Sequence, residues 1–204
     1  MSRNQSQDPT KMTKHGKIYV VFACMLFGGY VVYRLVSAAG SPKDFDEARL
    51  KGASISQEIV NLSNQLKDEL FGVNELDRNG DYTAALTRVT EIAKRTEDIR
   101  GKAVELSGEL QRMTTSLSKI GSDDAKQAVL ESVSNRLALL SRLINYSDYV
   151  YQLVSVLRDK FTGNYPASQK VATLVGQINA EVTAINSFNQ SAMAAMDRFD
   201  KAVQ

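Results

Sequence analysis

The chain has 204 residues, 25 Lys and Arg against 23 Asp and Glu, and a single His and Cys, enough for one ordinary domain plus a tail. Arg3, Lys11, Lys14, Lys17, Arg34 and Asp8 are the charges before Gly40, and beyond it the two signs are interspersed, so no basic patch suited to nucleic acid is present. A lone Cys24 excludes an internal disulfide or thiolate metal cluster, and a lone His15 excludes histidine-ligated haem, Glu-x-x-His sites and histidine-based triads within the chain.

Residues 1–16 read as a disordered tail of net positive charge, on the cytoplasmic side of a membrane. Residues 17–39 are the most apolar stretch and predict a transmembrane signal-anchor helix. Ile18 to Tyr33 is uncharged and at about 1.5 Å per residue covers roughly 24 Å, so continuing to Ala39 completes a span. Lys17 and Ile18 open it, and Tyr30 and Tyr33 suit the interfacial level. Arg34 lies near its end, where the long stem follows lipid while the guanidinium reaches the headgroups. Positive charge before the span and a mixed flank after it place the C-terminal part outside the cytoplasm. Ser37-Ala38-Ala39 has the small residues of a cleavage site, but Arg34 and the length of the run favour retention. Val21-Phe22-Ala23-Cys24 resembles a lipoprotein box with too short an apolar stretch before it; Cys24 is read instead as a small apolar residue.

Residues 40–204 predict an all-α fold: an antiparallel, up-down four-helix bundle with long, coiled-coil-like helices at about 44–71, 81–120, 123–161 and 166–203. Strand signals are missing. The first helix carries Ile55, Ile59, Leu62, Leu66 and Leu70 on one stripe, and Gly72 reads as its stop, which makes it shorter than the others. Asn79-Gly80 is a turn and Asp81 an N-cap. The second helix carries Val89, Thr96, Ile99, Ala103, Leu106, Leu110 and Met113, and Gly101 and Gly108 within it predict a bend or a close neighbour. For the third helix the stripe is read as Leu130, Val133, Leu137, Leu140, Ile144, Ser147, Tyr151 and Val154. The fourth, opening near Pro166, carries Val171, Leu174, Ile178, Val182, Ile185, Ala192, Met196 and Phe199. Packed together they make a rod about 60 Å tall.

The phrase "NGDYTAAL", Asn79 to Leu86, resembles the start of the second helix of a tetratricopeptide repeat. The 40-residue helix that follows and the lack of a second copy reduce it to a turn, a cap and a helix start. Tyr146, Asp148, Tyr149 and Tyr151 crowd two turns of the third helix and form a candidate interaction patch. Thr96 and Ser147 interrupt their seams, where they could fix register or face a ligand. Gly72, Gly80, Gly121 and Gly163 are isolated, so no phosphate-cradling loop is present, and no catalytic, cofactor or metal site is expected.

These features favour a non-enzymatic interaction, spacer or scaffold module at the cell envelope. Its partners would be the lipid bilayer, other envelope proteins or a second copy, with nucleic acid excluded. The layout is also similar to the membrane-proximal bundles of bacterial chemoreceptors, which implies the alternative of a ligand sensor. No second span is read after the bundle, so such a sensor would signal through a partner protein.

Overall fold

The computed structural model describes residues 41–163 and 168–203. The anchor expected over residues 17–39, with Lys17, Ile18, Tyr30, Tyr33 and Arg34, lies outside the described residues. Among those described, the fold is all helical without strands: α1 (Lys43–Asn79), α2 (Tyr82–Thr115), α3 (Asp123–Phe161) and α4 (Ser168–Ala202), with a 3-10 turn at Ser116–Lys119. None of these helices is long and apolar enough to cross a membrane.

Local chemistry sets the helix starts. Pro42, extended at φ −64°, precedes α1, and Asp44 and Asp46 lie in its first turn, favourable at the positive end of the helix dipole. Asp81 accepts from the Ala84 N–H at 3.1 Å to start α2, and Ser122 accepts from the Ala125 N–H at 3.3 Å to start α3.

Two glycine expectations are corrected. Gly72 does not stop α1, which runs on to Asn79 and so matches its neighbours in length. Burial of Leu70 and Val73 on either side outweighs the roughly 1 kcal/mol that a helical glycine costs. The stop is Gly80, in the left-handed region at φ 76°, with its N–H bonded to the Asp77 carbonyl and that of Asp81 to the Leu76 carbonyl. Gly101 and Gly108 mark no close neighbour, since a Cβ at either would meet nothing within 4 Å; α2 is continuous through both.

Consecutive helices pack antiparallel as a four-helix bundle. Glu69 with Arg95 and Glu58 with Lys102 set the α1–α2 register. Arg100 with Asp148, and Tyr82 stacked on Phe161 at 5.7 Å, set that of α2 and α3. Glu131 with Arg198, and the Ser132 hydroxyl donating to the Ala192 carbonyl at 3.0 Å, set that of α3 and α4. The backbones of α1 and α4 stay farther apart than those of the three consecutive pairs. These two helices meet where Phe45 packs on Phe199, ring centres 4.9 Å apart, and Arg49 forms a bidentate pair with Asp200 at 2.6 and 2.7 Å. Leu66, Ile92, Ile99, Leu110, Leu143, Tyr146, Ile178 and Ile185 are among the side chains that fill the axis.

Half of the expected α3 stripe packs inwards, and the other half is displaced by one residue. Val129, Ser132, Leu139, Leu143, Tyr146, Val150 and Leu153 are buried with Val133, Leu140, Ser147 and Val154, whereas Leu130, Leu137, Ile144 and Tyr151 face outwards. Ser132 and Arg136 interrupt the inward column, so the more continuous apolar column on the outer edge looks like the seam. Elsewhere the expected stripes pack inwards, with Leu62, Leu86, Ala93 and Phe188 only partly buried at their margins.

Candidate functional site

The tyrosine cluster is divided by its helix. Tyr146 is 1% exposed and fills a core layer, and burial pushes its hydroxyl pKa up. Asp148 and Tyr149 are half-buried, and Asp148 accepts from Arg100 at 3.0 Å. Tyr151 is 59% exposed. The four therefore share no one surface: residues 146, 148, 149 and 151 are spread around α3, as a 100° step per residue requires.

Tyr151 belongs instead to a ridge. Leu130 (50% exposed), Leu137 (48%), Ile144 (43%) and Tyr151 (59%) recur at intervals of seven along α3, a spacing that returns almost to the same angle in a helix. They cover about 31 Å of its length. Exposed Ser134 and Ser141 lie about one turn beyond Leu130 and Leu137 along the same edge. Val104 of α2 is 74% exposed. With Arg100 opposite Asp148, one turn onward in α2 and one turn back in α3 bring Val104 level with Ile144, so the ridge borders the α2–α3 seam. Arg100 and Asp148 are each near half exposed, where an ion pair contributes little to stability. The sequence carried a signal for this ridge in the sevenfold recurrence of Leu, Leu, Ile and Tyr, but the same recurrence is what a core seam shows.

Buried polar residues make a second candidate. Thr96 donates to the Ile92 carbonyl at 2.8 Å and Ser147 to the Leu143 carbonyl at 2.9 Å, each within its own helix. Neither cross-links the bundle, because a hydroxyl bonded to the carbonyl four residues back is already satisfied. Glu109 is buried: desolvation pushes its carboxyl up, but Lys51 at 3.0 Å and Arg112 at 2.8 Å outweigh this and hold it below its ordinary value. Glu181 is buried on α4, with Oε1 facing Arg142 at 3.7 Å and Asn145 at 3.5 Å while Oε2 has no partner.

Arg136 is the exception among the cations. Its Nε is sealed from solvent without a hydrogen-bond partner, and it lines a cavity of about 10 Å³ with Ser56, Ile59, Leu106, Leu139 and Asn189. Burial, with the Arg49 charge adding in the same sense, brings its pKa down to about 10. Sequence reading passed over it, since an arginine on a long helix normally signals a solvated face.

Among the described residues no group of three or more His, Cys, Asp or Glu could hold a metal ion. No protein-family model, curated protein or solved structure matches the chain.

Proposed function

We propose that the chain is a non-enzymatic interaction and scaffold module, anchored in a membrane by residues 17–39 with its bundle on the extracytoplasmic side, and that it joins a second copy of itself through α3. The observation that carries this reading is the ridge of Leu130, Leu137, Ile144 and Tyr151. Single exposed apolar residues are ordinary on a protein surface, but four on one edge at heptad spacing form the stripe that a second helix covers.

The order of the residues fits a second copy. About a two-fold axis lying between Leu137 and Ile144, an antiparallel α3 sets Leu137 of one copy against Ile144 of the other and Leu130 against Tyr151, the self-complementary contact that a two-fold interface requires. Ser134 and Ser141 beside the ridge are small enough to let the two backbones approach. The apolar run before Gly40, with its basic flank, supports the anchor.

The sensor alternative needs room for an organic ligand. A central cavity of about 10 Å³, against about 300–1,000 Å³ for sites that take such molecules, favours the interaction reading.

Light scattering of the full-length protein in detergent micelles tests it. The expected result is a dimer that the double substitution Leu137→Glu and Ile144→Glu converts to a monomer with unchanged helical circular dichroism. A wild-type monomer throughout, or a dimer indifferent to the substitutions, would remove self-association through α3 and leave the ridge to a helix of another envelope protein. Alkaline carbonate extraction tests the anchor: the protein should stay with the membrane pellet.

A further inference from the structure

α2 has an outward column of its own beside the α3 ridge. Gly101, Val104, Gly108, Gln111 and Thr115 recur at steps of three and four; all five are exposed and none is charged. Val104 is 74% exposed, more than any residue of the ridge. The glycines one turn to either side of it weaken a helix that faces solvent. Neither makes room for anything within the chain, since a Cβ at Gly101 or Gly108 would meet nothing within 4 Å. Glycine in a helix interior does allow another backbone to come close, and the chain itself supplies none there.

Size and register identify what covers this column. A stable interface takes about 20–30 residues a side, whereas one edge of a single helix over about six turns supplies roughly ten. A pairing through α3 therefore needs a second helix from each copy. With Arg100 of α2 level with Asp148 of the antiparallel α3, Val104 is level with Ile144 and Gln111 with Leu137. A two-fold axis between Leu137 and Ile144 thus crosses α2 midway between Val104 and Gln111, at Gly108.

We infer that a second copy packs on α2 and α3 together, and that the two α2 helices cross antiparallel at Gly108 with their backbones in contact. This rests on the two-fold pairing through α3. A two-fold axis that sets α3 against α3 keeps the α2 helices on one common side, so α2 must meet α2. Val104 of each copy then covers Gln111 of the other, and Gly101 faces Thr115. The rim is complementary in charge. Glu105 and Arg112 lie on the side of the column away from α3, each near half exposed, and the axis brings Glu105 of one copy beside Arg112 of the other, twice over. Such rim pairs fix orientation more than affinity. The glycines act oppositely on the two equilibria: they weaken the single bundle and let the pair close.

Gly108→Gln tests this in the full-length protein in detergent micelles. Glutamine favours the helix and meets open space in the single chain, so at dilutions where the protein is monomeric its melting temperature should match or exceed that of the wild type. By sedimentation equilibrium its dimer dissociation constant should rise about tenfold or more, because the added side chain wedges a close contact apart. Oxidative cross-linking in a Cys24→Ser background reads the register separately. Val104→Cys and Gln111→Cys in one chain should link two copies, whereas either cysteine alone should not, since it lies about 10 Å along the helix from its own image. A dimer that Leu137→Glu with Ile144→Glu abolishes, yet that tolerates Gly108→Gln and leaves the cysteine pair unlinked, would overturn the part given to α2 and leave the α3 pairing standing. A wild type that stays monomeric at every concentration removes both.

Discussion

Tyr146 and Tyr151, five positions apart on one helix, have opposite energetic roles. Truncating a fully buried aromatic costs about 3–5 kcal/mol through lost transfer energy and the cavity left behind, whereas a change at an exposed site away from special features stays within about 0.5 kcal/mol. Denaturant unfolding of Tyr146→Ala and Tyr151→Ala, at a dilution that suppresses self-association, should reproduce that contrast. Glu109 gives a pH-dependent counterpart. Lys51 and Arg112 hold its carboxyl below its ordinary value of 4.5, so the unfolded chain binds the proton more readily than the folded one. Its contribution is complete above that value and is lost as pH falls through the lower, folded-state value. The melting temperature of the wild type should exceed that of Glu109→Gln near neutrality, and the gap should narrow from pH 5 downwards. Arg136 shows what single-residue reading misses. Nothing in its local sequence distinguishes it from Arg142, one and two-thirds turns onward, itself near half exposed and facing Glu181; only the phase of the whole helix decides which of them faces the axis.

Helix existence was legible in the pattern of apolar threes and fours, and the caps Asp81 and Ser122 in their side chains, because those signals are local. The end of α1 and the phase of α3 were not, because they depend on packing. Gly72 is tolerated for the sake of Leu70 and Val73, and the inward column of α3 accepts Ser132 and Arg136 because α4 offers the Ala192 carbonyl to one and the four-helix cavity surrounds the other. The glycines permit direct tests. Gly101→Ala and Gly108→Ala, with open space at both Cβ positions, should each stabilise the protein by about 0.5–1 kcal/mol by restricting the unfolded chain. Gly80→Ala should destabilise it by about 1–2 kcal/mol, since alanine pays to adopt the left-handed conformation found there. Urea midpoints at unchanged slope would measure all three.

The bundle as a whole has three close seams and a fourth, between α1 and α4, fastened by Phe45, Phe199, Arg49 and Asp200. Removing one partner of a shielded ion pair strands the other, but the two sides differ here. Asp200→Asn leaves Arg49 beside Arg136 with no counter-charge, while Arg49→Met also relieves the repulsion between the two cations. Asp200→Asn should therefore be the more destabilising by thermal denaturation, and adding Arg49→Met to it should recover part of the loss. Topology at this scale follows from four amphipathic rods with short connections. The unequal tightness of the seams does not, because it arises from where large rings and charged groups happen to fall across helices distant in sequence.

That fastening also fixes how the molecule would bear a mechanical load. The start of α1 and the finish of α4 emerge side by side at the fastened end, so tension applied between them would fall on the aromatic stack and the ion pair one after the other, peeling the helices apart. Were the two chain ends at opposite poles, the same force would be shared along every seam at once. Stretched between its ends, this bundle should yield at low force in a laser trap, and the Asp200→Asn form should yield sooner still.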